Sequence, residues 1–405
     1  MRIAIIGAGA AGCFAAANIP WQEGREVTVF EKTGKALQKV KVSGGGRCNT
    51  THACFDVPEL IDRYPRGKPL LRRSLYQFSP QDTISWFGER GVRLKTEEDG
   101  RMFPVTDNSQ TIIDCIWQEM MKQKVQVRYH KAVERIEKTD DGLRIDFGDK
   151  TFYTADRVLI ACGGFPKKDQ YAWLEQLGHK IETPVPSLFT FNIPKHPITE
   201  LMGVSVPTVT VKIQGTKIVE QGPILITHWG LSGPVVLRTS AWGARELAER
   251  NYNFKVQINW LNDRNEQDLK DTIAQIRRER GKQAVQFKNL FDLPKRLWEY
   301  LLHQCGIKDE TKWGDLPAAQ QNKLIEKLVR DTYEVKGKTT FKEEFVTCGG
   351  ISLSQIDAQT MESKLIPGLY FGGEILDVDG ITGGFNFQNA WSSGYIAAQS
   401  VIKEK

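Results

Sequence analysis

Arg2-Ile3-Ala4-Ile5-Ile6-Gly7-Ala8-Gly9-Ala10-Ala11-Gly12 opens the chain, and a second apolar run, Val27-Thr28-Val29-Phe30, ends nineteen residues past Gly12 on Glu31. The order strand, glycine turn, helix, strand, acid turns a common glycine pattern into a specific dinucleotide-binding signal. Gly7 permits the tight turn, Gly9 lets the backbone approach a pyrophosphate, and Gly12 lets the helix pack close to the strand. A helix beginning at Ala10 and Ala11 points its first amides at phosphate oxygens, where the helix dipole favours negative charge. A carboxylate at Glu31 accepts hydrogen bonds from an adenosine ribose and repels a 2'-phosphate, which favours FAD or NAD over NADP.

The totals set the background. With 405 residues, the chain predicts two or three domains and ample core. Fifty-five Lys plus Arg against 49 Asp plus Glu give a formal +6, without blocks of like charge, so neither nucleic acid nor membrane binding follows from it. No run of apolar residues is long enough to span a bilayer. The dinucleotide strand starting at residue 3 leaves no room for a signal peptide, so the cytoplasm is the expected location. Seven scattered cysteines without a CxxC pair disfavour disulfides, zinc and thioredoxin-like redox chemistry.

Further along, Ser43-Gly44-Gly45-Gly46-Arg47-Cys48-Asn49 reads as a second anion-facing loop. Its glycines allow left-handed backbone with amides free to face an anion, and Arg47 is a bidentate phosphate donor. Cys48 beside Arg47 is either a reactive thiolate or a small buried residue. Basic and aromatic residues interleave between Arg63 and Phe87, suggesting a solvated helix face or, as the rival, a nucleic-acid surface. A helix is expected over Ser109 to Lys122, then a β-meander from four alternating stretches, Val125 to Tyr129, Val133 to Ile136, Leu143 to Phe147 and Thr151 to Tyr153. Arg157 to Ala161, running into Cys162, Gly163 and Gly164, reads as a central strand buried on both faces.

Near Ser187 prolines cluster and strands alternate, predicting an inserted β-rich domain over 188–262 and amphipathic helices over 263–339. Ile226-Thr227-His228-Trp229-Gly230-Leu231-Ser232-Gly233-Pro234 reads as a functional loop. The first style returns near residue 340. Strands at Phe345 to Ile351 and Gly368 to Gly372 precede a helix that opens on Gly383-Gly384-Phe385-Asn386.

In combination these stretches resemble a bacterial family of BaiN-like, or aminoacetone-oxidase-like, NAD(P)/FAD-dependent oxidoreductases. The carrying residues are Gly7 to Gly12 with Glu31, Ser43 to Asn49, Thr227 to Pro234, and Gly373-Glu374 through Asp377-Val378-Asp379-Gly380 to Asn386. The resemblance spans essentially the whole chain. It implies an α/β fold, a glutathione-reductase-like FAD-binding Rossmann domain made of both chain ends, 1–187 and 340–405, with an inserted β-barrel plus helical subdomain. It also implies FAD contacts at Gly7, Gly9, Ala10, Ala11, Gly12, Glu31 and Lys32, then at Gly45, Gly46, Arg47, Cys48 and Asn49. Adenine would meet the backbone at Val133, the flavin would lie over Ala161 and Gly163, and Gly373, Glu374, Asp379, Gly383, Gly384, Phe385 and Asn386 would complete the site.

No second strand-GxGxxG-helix unit appears, so a separate nicotinamide domain is not expected. The expected activity is electron transfer through flavin from a small-molecule donor, NAD(P)H being the first candidate, to an organic acceptor. The family name suggests a steroid-like enone, with His228 as the carbonyl or proton donor. A flavoprotein acting on tRNA or with DNA, or a redox sensor without turnover, are the rivals. Oligomeric state leaves no mark in the sequence.

Overall fold

A computed structural model of the chain describes residues 1–287, 290–340 and 346–403. Two compact units divide it: Met1–Ser187 with Phe341–Lys405, and Leu188–Thr340.

The first unit is built on five parallel strands: β1 (Arg2–Ile6), β2 (Glu26–Phe30), β3 (Gln126–Arg128), β4 (Arg157–Ile160) and β5 (Leu369–Phe371), in the order β5-β4-β1-β2-β3. Ile3, Ala4 and Ile5 of β1, and Val158, Leu159 and Ile160 of β4, are fully buried, as parallel strands covered on both faces require. Helix α1 (Ala10–Ala17) returns the chain from β1 to β2. Its small residues admit close neighbours, and the C-terminal helix α2 (Phe385–Val401) crosses it so tightly that a Cβ on Gly394 would stand 2.6 Å from the Ala11 carbonyl oxygen.

The meander has three strands rather than four, Val133–Thr139, Gly142–Phe147 and Phe152–Ala155, all antiparallel. The first of the four expected stretches is β3, which pairs in parallel with Thr28, Val29 and Phe30. Its place follows from the helix Ser109–Lys122 before it, a crossover that a parallel neighbour needs, whereas the turn signals begin only at Asp141-Gly142. The strand expected from Phe345 is seen as Thr347–Ile351, antiparallel to Ile181–Pro186; Phe345 itself lies outside the described residues.

In the second unit seven strands form one sheet whose edges, Asp331–Lys336 and Lys338–Thr339, are consecutive in sequence. Gly337 joins them: its N–H donates to the Tyr252 carbonyl at 2.9 Å, and its own carbonyl accepts from the Asn192 N–H at 3.2 Å. The sheet thereby curls onto itself as a barrel. Helices Glu266–Arg280, Lys295–Gln304 and Ala318–Arg330 share one apolar core with it, so Val211, Ile258, Leu301 and Leu328 belong to the same buried cluster. Two helices that the sequence does not announce, Pro234–Trp242 and Ala244–Glu249, follow the barrel's short strand Gly230–Ser232.

Candidate functional site: a dinucleotide cradle in the first unit

The turn between β1 and α1 is closed by contacts that exclude side chains. A Cβ on Gly7 would lie 2.6 Å from the Ala161 carbonyl oxygen, and one on Gly12 would lie 2.0 Å from that of Gly7. Gly9 differs. The nearest atom to its Cβ position is 3.9 Å away, so the chain itself does not demand glycine there and a side chain would only fill the space before α1. No side chain caps α1, which leaves the amides at Ala10 and Ala11 facing that space. Glu31, at the end of β2, is already oriented. Its Oε2 accepts from the Ala8 N–H at 3.0 Å and its Oε1 from the Thr33 N–H at 2.8 Å. Lys32 is exposed, with its ammonium 5.2 Å from the Phe165 ring centroid, and Val133 opens the meander half-buried. Ala161, buried just past β4, is followed by Gly163 at φ +76 with open space around it.

The loop at 43–49 is left-handed at Gly44, Gly45 and Gly46 (φ +58, +69 and +83), and the positions above Gly45 and Gly46 are open. It is sewn to α2, hundreds of residues away in sequence. Asn49, with its amide oriented to satisfy both neighbours, accepts from the Gly384 N–H at 3.0 Å and donates to the Thr51 carbonyl at 3.1 Å. Trp391 Nε1 donates to the Thr50 carbonyl at 2.8 Å, and Thr51 Oγ1 donates to Gln388 Oε1 at 2.6 Å. At the start of α2 the Asn386 amide closes a turn with both backbone groups of Gly380, at 2.8 and 2.9 Å. Phe385 stacks on His52 at 4.7 Å between centroids and accepts from the Tyr64 hydroxyl at 2.7 Å through its carbonyl. The Gly383-Gly384 pair is thus clamped from two sides, and Gly373 packs against Ala11 while donating its N–H to Ser393 Oγ at 2.8 Å.

Several of the residues expected at the site also have partners within the chain. The Arg47 guanidinium is paired with Glu97 at 2.5 Å and Asp107 at 3.5 Å, and lies 3.9 Å above the Phe103 ring. Cys48 is fully buried, and burial pushes its thiol up to about 11 despite hydrogen bonding to Thr50 and Ser43, so it is no thiolate. Glu374 is held by Lys39 at 2.7 Å and by the Thr347 N–H at 2.9 Å. Asp379 is fully buried, gripped by the Arg66 guanidinium and the Ser187 hydroxyl, which makes it an anchor for the loop before α2. The expected loop at His228 is a hairpin tip, with Thr227 paired to Gly230. Gly230 is required there because a Cβ would meet the Phe191 carbonyl at 2.1 Å. His228 belongs to the second unit, where its exposed ring lies edge-on to Trp229. Arg66, Tyr64, His52 and Gln388 carry no signal of their own in the sequence. Each of the first three meets a partner more than three hundred positions away, and Gln388 is met in turn by Thr51, which local sequence cannot reveal.

Among the described residues no group of His, Cys, Asp and Glu is arranged to hold a metal ion, and no helix is long and apolar enough to cross a membrane. The open cradle before α1, the open left-handed glycines and the oriented carboxylate of Glu31 fit FAD.

The chain is similar along 99% of its length to a ribosomal RNA dihydrouridine synthase of Escherichia coli (strain K12), at 32% identity over 98% of that protein. It is also similar to a 3-dehydro-bile acid delta(4,6)-reductase of Clostridium scindens, at 29% identity over 99% of each. Its fold is shared by a 3-ketosteroid-delta4-(5alpha)-dehydrogenase from Rhodococcus jostii RHA1, with TM-score 0.51 and 14% identity over 98% of this chain and 96% of that one. The resemblance to BaiN-like flavoproteins is borne out. Residues 1–400 match the HI0933-like protein Rossmann domain, and the chain belongs to that family of flavoprotein oxidoreductases, with FAD as cofactor.

Proposed function

We propose that the protein is an FAD-dependent reductase of a carbon–carbon double bond conjugated to a carbonyl. The observation that carries this reading is similarity along nearly the whole chain to two proteins whose named activities share that bond change. Saturating a steroid 4,6-dienone and saturating the 5,6-bond of uridine are both conjugate reductions. FAD supplies the hydride chemistry when bound. The chain's own part is to hold it: the α1 amides and Gly9 at the pyrophosphate, Glu31 at the ribose, and the Gly383–Asn386 turn at the flavin. Placed there, the start of α2 would stabilise negative charge on the reduced ring and raise its potential. His228 is the proposed proton donor. Anaerobic stopped-flow with NADH and NADPH separately, then reoxidation by a steroid dienone, tests the reading. Bleaching within seconds and rapid dienone-dependent recovery are expected. Failure of both nicotinamides to bleach the flavin defeats the NAD(P)H-linked form, and His228→Gln should slow reoxidation while leaving bleaching unchanged.

A second reading places the double bond in a uracil base of RNA. It is favoured by the 32% relative and by exposed arginines on the helix Lys68–Gln77 that have no carboxylate partner among the described residues. Mass spectrometry for a gain of two hydrogens on uridine, after incubation of the reduced protein with ribosomal RNA, distinguishes it from the first.

A further inference from the structure

The helix Lys68–Gln77 divides cleanly. Leu70, Leu71, Ser74 and Leu75 are buried, whereas Pro69, Arg72, Arg73, Tyr76 and Gln77 form an exposed face. Amphipathic packing explains the first set. It does not explain the second, which carries two guanidinium groups and a tyrosine left 68% exposed on a helix without a single acid. Arg72 and Arg73 have no carboxylate partner among the described residues, although ion pairs are plentiful elsewhere in this unit, including Lys68 with Asp62 just before them. Beside this face runs a groove of about 620 Å³, lined by Leu70 and Arg73 on the helix and by Leu353, Ile356, Asp357 and Lys364 opposite. Its basic groups outnumber its one acid.

The face is also rigidly tied to the cofactor-side loop. Gly67, just before the helix, lies against Val378, with its Cβ position 2.7 Å from a Val378 methyl. Arg66 grips the buried Asp379. Phe78, just after the helix, stacks on Tyr395 of α2 at 4.4 Å. A partner held on the exposed face is therefore referenced to the segment 378–386 that leads into the Gly383-Gly384 turn.

We propose that Arg72, Arg73 and Tyr76, with the adjoining groove, form a docking surface for single-stranded RNA, the arginines taking phosphates and Tyr76 stacking on a base. Two guanidiniums without carboxylate partners beside an exposed ring are the elements that sequence-tolerant single-strand binding uses: charge for the backbone and an aromatic face for the bases. The inference deepens the uridine reading and rests on it.

Fluorescence anisotropy of the FAD-loaded protein with a labelled uridine-rich hairpin-loop RNA, across a salt series, tests it. Arg72→Gln/Arg73→Gln should weaken binding and reduce the log–log salt slope by about 1.4, at about 0.7 for each single-strand phosphate that is no longer neutralised. Tyr76→Ala should weaken binding by about tenfold with the slope unchanged. Lys138→Ser/Lys150→Ser, which removes the same charge from exposed positions on the meander, should change neither. Glutamine keeps helix propensity, and an unchanged flavin spectrum and melting temperature certify the fold. The docking surface is overturned if the wild type binds RNA and the arginine pair leaves the slope unaltered, or if the meander control loses as much. Equal affinity for duplex DNA of the same length overturns single-strand RNA as its occupant. If the wild type binds no RNA even at low salt, the uridine reading falls and this surface with it, leaving the steroid-type reading intact.

Discussion

At the scale of single residues, environment assigns roles that residue type alone leaves open. Glu31 is held by two backbone amides, so its carboxylate needs little reordering to meet a ribose. Glu31→Ala should weaken FAD binding by about tenfold to a hundredfold, the cost of losing charge-assisted hydrogen bonds, with the fold retained; flavin released on dialysis measures it. Burial dominates the thiols. Cys48, fully buried, is pushed up to about 11, so iodoacetamide at pH 8 should label it only after unfolding, as peptide mapping would show. His179 shows the same effect in a base. Its Nε2 lies 2.9 Å from Ser363 Oγ and burial lowers it from 6.5 to about 4. Above pH 6.5 the ring is neutral in both folded and unfolded chains. As pH falls from 6.5 toward 4 the unfolded ring takes up a proton that the folded ring refuses, so stability is lost across that window. Denaturant melts of wild type and His179→Gln at about pH 7.5 and 4.5 should show the wild type losing about 2 kcal/mol more.

Among elements, close approach decides what sequence only permits. The sequence places alanines and Gly12 in α1, but the close approach of α2 comes at a point it does not mark, Gly394 over the Ala11 carbonyl. A backbone oxygen cannot swing aside as a flexible side chain can. Gly394→Ala should therefore cost about 1–3 kcal/mol and lower the melting temperature by several degrees, with flavin affinity falling because the Gly372-Gly373 turn packs against the same crossing. The 43–49 segment illustrates the other side. Its three glycines announce left-handed backbone, which the structure shows, whereas the part of Arg47 depends on Glu97, Asp107 and Phe103, which no local pattern reveals. The meander has one strand fewer than its alternation suggests for a related reason: β3 is an ordinary alternating stretch, and only the helix before it and its partner β2 make it parallel.

For the molecule as a whole, both ends of the chain build one nucleotide-binding unit, and β5 and α2 follow in sequence a second unit, Leu188–Thr340, formed from the middle. A ligand that binds only the folded first unit stabilises it by mass action, so FAD at about 100 times its dissociation constant should add about 2.7 kcal/mol, read as a rise in melting temperature over the flavin-free protein. The sequence by itself determined the dinucleotide turn, the acid at Glu31, the return to glycine-rich strands near the C-terminus and the inserted β-rich segment, because turn chemistry and hydrophobic period are local properties. Only the tertiary structure decided that Asn49 clamps Gly384, that Asp379 is a buried anchor for Arg66, that Cys48 is inert and that Gly337 closes the barrel. Those outcomes depend on which distant groups share a desolvated site, and burial and pairing, not residue type, fix what a charge or a thiol does there.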